Sequence, residues 1–388
     1  MPRWPRAVVS ASVVTVLAAC GGAPPEPAPP EPVPSEPVPV TDVHVEGNRL
    51  VDQHGRTLRP RGFNVSGAEY ACIEGQGFFD TPDGRPPGDA VVIAMRKRWR
   101  GANTIRVPLN EQCWLGLPAA DRRYAGEAYR AAVRSFVERL NAKGFVAILD
   151  LHRSAPGSGV SKEQEQMPDR DHSPAFWASM ATTFRSGAVL FDLFNEPFPD
   201  AVTGGDAAWT CWRSGGCTLK SVNTGQDYVA AGMNELIAAI RATGARTPVM
   251  AGGIYWAESL SRWWTYRPAD PAGQLVASFH AYSFNTYCAA VPCYERELAP
   301  IAARVPLIAG EVGPTLDTDP AAVDRRCPAS AVRHDGWAHT TLDWLDAHGV
   351  GWTAWSFNPW GDCWALVRDW GGEPTPIWGA ELQRRLAT

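Results

Sequence analysis

From Arg59 onward the chain carries two apolar patterns that take turns. Short, near-continuous apolar runs recur: RPRGFNV (Arg59–Val65), ANTIRVPL (Ala102–Leu109), FVAILDLH (Phe145–His152) and AVLFDLFNEP (Ala188–Pro197). They continue with TPVMAGG (Thr247–Gly253), LVASFHAY (Leu275–Tyr282), VPLIAGEVG (Val305–Gly313) and VGWTAWSF (Val350–Phe357). Runs of this kind predict strands covered on both faces. Between them the apolar positions recur at helical spacing. Tyr124–Lys143 puts Ala132, Val133, Phe136, Val137 and Leu140 on one face, and Gly225–Thr243 does so with Val229, Met233, Leu236, Ile237 and Ile240. Ser173-Pro174 reads as an N-cap followed by proline at the first helical position. Gly101, Gly144, Gly187, Gly244 and Gly349 each stand just ahead of a strand, where a left-handed C-cap is expected.

Alternation of strand and helix through these runs predicts an α/β fold, a (β/α)8 TIM barrel. A doubly wound open sheet would want a glycine-rich phosphate loop after its first strand, and RGFNVSGAEY is not one. Val43–Pro60 alternates in period two around turn residues and predicts a short N-terminal β-hairpin ahead of the barrel.

The first residues follow a different logic. Arg3 and Arg6 precede the apolar stretch Ala7–Cys20, which is too short to span a bilayer. It ends in Leu17-Ala18-Ala19-Cys20, which resembles the lipobox of bacterial lipoproteins. The resemblance implies cleavage before Cys20 and a diacylglycerol on its thiol; a plain secretory signal with an incidental cysteine is the alternative. From Pro24 to Val40 roughly half the residues are proline, which excludes helix and sheet interior. Such a segment predicts an extended spacer of about 50 Å. The expected organisation is a signal peptide over 1–19, a lipidated cysteine and proline-rich linker over 20–40, and one catalytic barrel over 41–388. The protein is expected to be exported, either held on the outer face of a bacterial membrane or secreted.

Charge narrows the partners. The formal net charge is −5, and no long basic run is present, which argues against nucleic acid. Loss of Arg3 and Arg6 with the leader would leave the chain more acidic still. Eight cysteines remain beyond Cys20, an even number in an exported chain, so disulfides are expected. About a hundred pairings are open to eight cysteines, and none has zinc-ligand spacing. Tryptophan is abundant at 17 residues, enough to supply both core and flat platforms for sugar rings.

In a barrel of this kind chemistry gathers at the C-terminal ends of the strands. There stand Arg106, His152, Asn195 with Glu196, His280 with Tyr282, Glu311, and Trp355 closing the last run. Burying so many ionisable groups at one rim contributes nothing to stability. In order and position they resemble glycoside hydrolase family five, the cellulase family, in the clan of retaining barrel glycosidases. The resemblance spans most of Arg59–Phe357. It implies Glu196 of Asn195-Glu196-Pro197 as acid/base and Glu311 of IAGEVG as nucleophile. Arg106, His152, Asn195, His280, Tyr282 and Trp355 become substrate-binding and supporting residues. Asn195 would meet the sugar 2-hydroxyl, the histidines would brace the carboxylates and the sugar, and Trp355 would carry the ring. A non-proline cis peptide is expected at Trp355–Ser356. Neither cofactor nor metal is implied, and a monomer is expected.

Retaining hydrolysis needs one protonated and one ionised carboxyl about 5–5.5 Å apart. Two strands across a barrel mouth can provide that. Glu196 is expected to be the less solvated of the two, its acid form favoured by the charge on Glu311. With the barrel in place, the cysteines fall on catalytic-face loops. The expected pairs are Cys72–Cys113, Cys211–Cys217, Cys288–Cys293 and Cys327–Cys363. Trp114, Trp209, Trp212, Trp256, Trp360 and Trp364 lie on the same loops, split between subsite platforms and loop core. The expected activity is hydrolysis of a neutral β-glycan, a β-glucan first. β-Mannanase or glycosylceramidase-like activity on the same site is an alternative, as is a non-catalytic glycan-binding lipoprotein. A metal hydrolase barrel would want clustered His and Asp after the first strand, where Asn64 and Ser66 stand instead.

Overall fold

The computed structural model describes residues 39–185, 187–200, 204–314 and 336–387. The leader, Cys20 and the proline-rich segment lie outside the described residues, as does Cys327.

Among the described residues thirteen strands run along the chain: β1 (Val43–Glu46), β2 (Arg49–Asp52), β3 (Thr57–Leu58), β4 (Arg61–Asn64), β5 (Thr104–Asn110), β6 (Val146–Arg153) and β7 (Val189–Asp192). They continue with β8 (Thr218–Lys220), β9 (Asp227–Val229), β10 (Val249–Gly252), β11 (Leu275–Ala281), β12 (Leu307–Val312) and β13 (Gly351–Ala354). Eight of them close into a parallel barrel in the order β4-β5-β6-β7-β10-β11-β12-β13, with β13 pairing back to β4. Helices alternate with the strands, among them Asp89–Arg98, Glu127–Ala142, Ser173–Thr183, Met233–Ala242 and Trp337–Ala347. This is the expected (β/α)8 barrel.

Strand periodicity explains why the site lies at one end. In β6, Ala147, Leu149 and Leu151 face outward into the core beneath the helices. Val146 and Ile148 face inward and join Leu190, Met250, Val276 and Ile308 in a cluster inside the barrel. Continuing the period of two brings Asp150 and His152 inward at the top. The interior therefore changes from apolar to polar along each strand. At the opposite end Val43 and Leu50 of the β1–β2 hairpin belong to the same inner cluster. The hairpin, extended by the two-residue β3, plugs the N-terminal mouth.

Several local expectations are corrected. Val229 lies in β9, antiparallel to β8, and the helix begins only at Met233. Ser173 is the first helical residue rather than the cap; its hydroxyl accepts from the Asp169 amide. Gly144, Gly187, Gly244 and Gly349 take positive φ, but Gly101 does not. A Cβ at Gly101 would lie 1.6 Å from the Leu386 carbonyl oxygen, so close approach of the C-terminal helix is what demands glycine there.

Candidate active site

Glu311 stands on β12, where the pairing with β11 shifts register beside His280. The shift turns the carboxylate into the barrel mouth. Arg106 Nη1 donates to its Oε1 at 2.8 Å, and the Tyr282 hydroxyl donates to its Oε2 at 2.5 Å. Glu196 lies beyond the end of β7 with φ 47°, a left-handed backbone unusual for any residue and doubly so before proline. Gln164 holds it there: its amide donates to the carbonyls of Asn195 at 3.1 Å and Glu196 at 2.9 Å and accepts from Asn195 Nδ2 at 2.9 Å. His280 Nδ1 reaches Glu196 Oε1 at 2.8 Å and Glu311 Oε2 at 3.6 Å. One oxygen of each glutamate and a His280 nitrogen all lie within 4.8 Å of one another.

The two carboxyls differ in a way other than expected. The Glu196 side chain is 21% exposed and that of Glu311 only 6%, so Glu196 is the more open to solvent. Glu196 lacks the guanidinium and hydroxyl that face Glu311. Burial pushes its carboxyl up to about 7, with Arg106 opposing. The expected influence of the Glu311 charge is not the cause. Burial also drives His152 and His280 down to about 4, so both rings are neutral at neutral pH. Tyr282 is pushed well above the usual phenol range by burial and by the Glu311 charge.

Arg106 is the hub. It is fully buried and also reaches Asp192 at 3.0 Å, Asp150 at 3.1 Å, Asn195 Oδ1 at 3.0 Å and Asn64 Oδ1 at 3.1 Å. Burial raises Asp150 to about 7 and Asp192 to about 6 against the pull of Arg106. One fixed positive charge thus faces more carboxyls than it can neutralise, and the site retains protons. Asn195 spends its oxygen on Arg106 and one N–H on Gln164, which leaves its second N–H for a ligand. His152 does not touch the glutamates. Its Nδ1 lies 2.6 Å from Asp150 Oδ2, and its ring stacks against Trp355 at 5.8 Å and 16°. The Trp355–Ser356 peptide is cis.

Comparison with known proteins identifies the family of the chain. Residues 51–361 match the cellulase family, glycosyl hydrolase family 5. The chain belongs to that family. It is a glycoside hydrolase. An endoglucanase from Paenibacillus polymyxa is 24% identical over 347 residues, covering 81% of this chain and 79% of that one. A β-glucanase from Saccharophagus degradans, solved with cellotetraose, superposes with a TM-score of 0.64 at 20% identity, over 92% of this chain and 98% of that one. The catalytic domain of a mannanase from Streptomyces sp. SirexAA-E gives 0.56 at 21% identity, over 91% and 94%.

The cleft of this family 5 enzyme has a volume of about 400 Å³ and is lined by Trp256, Phe284, Trp355 and Trp364 around both glutamates. Trp114, Trp209 and Trp212 are instead fully buried. Trp256 is 36% exposed and stacks on Phe198 at 4.8 Å and 16°. It is turned outward by three successive left-handed residues, Tyr255, Trp256 and Ala257. Trp360 is fixed through its indole N–H to Asp80 at 2.7 Å and lies 6.3 Å from Trp355. The pairs Cys72–Cys113, Cys211–Cys217 and Cys288–Cys293 are disulfide-bonded; the fourth expected pair involves Cys327, outside the described residues. Among the described residues two further groups of metal-type donors converge elsewhere. Cys288 and Cys293, beside Glu297, are spent on their disulfide. Glu111, beside Asp169 and His172, is pushed well up by burial and by Asp169, so a shared proton accounts for that pair.

Sequence reasoning missed Asn64 as a partner of Arg106, and it missed Gln164, Asp150, Asp192 and Glu258. Asp150 and Asp192 were visible as lone acids inside apolar runs. Gln164 sits in the aperiodic loop after β6 and gives no signal of its own. Glu258 lines the cleft and accepts from the Tyr287 amide at 3.0 Å.

Proposed function

We propose that the chain is an exported retaining β-glycanase acting on a neutral β-glucan. The observation that carries this reading is the approach of the Glu196 and Glu311 carboxylates to within 4.8 Å, close to the spacing that double displacement requires. Glu196, in its acid form, protonates the leaving oxygen while Glu311 attacks the anomeric carbon. The C–O bond to the leaving group breaks and a glycosyl ester forms on Glu311. Arg106 and the Tyr282 hydroxyl hold the nucleophile as an oriented anion beforehand. Ester formation removes that negative charge and leaves the Arg106 field less neutralised. Glu196 then ionises more readily and takes the proton from the attacking water.

The free N–H of Asn195 suits the sugar 2-hydroxyl, and Trp355 the ring. Trp256 and Trp364 extend the aromatic lining of the cleft. A neutral substrate agrees with a cleft lined by aromatic and acidic groups. β-Glucan is favoured by what the endoglucanase and the cellotetraose-bound β-glucanase act on or bind; mannan is the second reading, after the mannanase. A panel of polysaccharides and aryl β-glycosides tests the assignment. Glu311→Ala should lose about 10⁴-fold or more in kcat, and equal turnover by wild type and variant would refute it. Product analysis on one accepted glycan then fixes linkage and endo or exo action.

The leader and lipobox-like segment favour a lipid anchor on Cys20. Cys20→Ser should move the protein from the membrane to the soluble fraction; retention in the membrane refutes lipidation.

A further inference from the structure

The mechanism above gives Asp150 no task. Asp150 and His152 lie two residues apart on β6, so both side chains point into the barrel mouth. Asp150 Oδ2 receives Arg106 Nη2 at 3.1 Å and meets His152 Nδ1 at 2.6 Å, while its Oδ1 is buried with no hydrogen-bond partner. A guanidinium only donates, and above about 7 Asp150 faces it as the ionised carboxylate, which only accepts. The proton in the 2.6 Å contact then belongs to the imidazole Nδ1. The ring is neutral, so its other nitrogen, Nε2, is bare. His152 lines the cleft with its ring against Trp355. Nε2 is the nitrogen left for a ligand.

We propose that Asp150 is a positioning residue that fixes His152 as the Nδ1–H tautomer. His152 then meets the sugar beside Trp355 as a hydrogen-bond acceptor. A consequence for specificity follows. The sugar must offer a free hydroxyl at that position, because an ether or a fluorine there cannot donate. The kinetic consequence rests on the glycanase reading, but the position of the ring proton does not.

The test is a long-range ¹H–¹⁵N correlation of the His152 ring in the whole protein at pH about 9, where Asp150 is ionised. Wild type should carry its proton on Nδ1. Asp150→Ala should move it to Nε2 and lower kcat by about 10- to 100-fold, with KM changed far less. Asp150→Asn keeps the shape of the side chain and an acceptor oxygen and should retain the Nδ1 proton, which distinguishes tautomer control from a folding defect. A wild-type ring protonated on Nε2, or an unchanged ring in Asp150→Ala, overturns the proposal. Absence of any glycanase activity would refute the proposed function and leave the ring assignment standing.

Discussion

Glu196 combines a left-handed backbone with a carboxyl raised to about 7. Both properties predict measurable behaviour. The acid form is present below that value, so kcat/KM should fall as pH rises through about 7. The same shift affects stability. An unfolded glutamate releases its proton near 4.3, so between there and about 7 the folded chain holds the extra proton. Stability should therefore fall with rising pH across that window relative to Glu196→Gln, which has no proton to lose. Thermal unfolding of both proteins from acid to neutral pH checks the sign. The backbone is a separate matter. A left-handed non-glycine residue costs about 1–3 kcal/mol, and Gln164 offsets it with hydrogen bonds to both carbonyls. Gln164→Ala should lower kcat by about 10-fold or more while leaving the fold intact, since each lost bond is worth about 1 kcal/mol. Unchanged kcat would show that Pro197 and the strand hold Glu196 unaided.

At the scale of elements, strand β12 and the residue just beyond it carry the nucleophile and the room it needs. A Cβ added at Gly313 would lie 2.2 Å from the Tyr282 ring. Gly313→Ala should push Tyr282 away from Glu311 and reduce kcat by about 10- to 100-fold, which is 1.4–2.7 kcal/mol of lost transition-state support. Steady-state kinetics and a structure of the variant would test this together. The barrel was legible because its apolar runs had the length of buried strands, five of them just after a glycine, and polar residues fell at a single end of them. Arg106, Glu196 and Glu311 could be read for the same reason: a charge that ends an apolar run has few bland explanations. The β8–β9 ribbon was not legible, because Val229 happens to sit four residues before Met233 and so continues the helical face. Gln164 was not legible either. Its role comes from a long loop folding back over β7, and no local pattern encodes where such a loop lands.

Over the whole molecule, the plugged base leaves one open end, and the three disulfides described above brace the loops at that end. Cys72–Cys113 links the segments after β4 and β5 across 41 residues. By chain entropy such a link contributes about 3–4 kcal/mol. Cys72→Ser with Cys113→Ser should lower the melting temperature by several degrees, measured calorimetrically against the intact protein. An unchanged melting temperature would mean the loop packing alone holds that side. The aromatic residues have a practical consequence for anyone who titrates the enzyme with oligosaccharides. Seven of its 17 indoles are locked in dry surroundings away from solvent: Trp99, Trp114, Trp177, Trp209, Trp212, Trp263 and Trp352. Their emission forms a bright constant background, and occupancy of the cleft changes only the few emitters at its rim. Replacing Trp256 or Trp364 one at a time with phenylalanine would show which of them reports a bound chain, and so which part of the cleft that chain occupies.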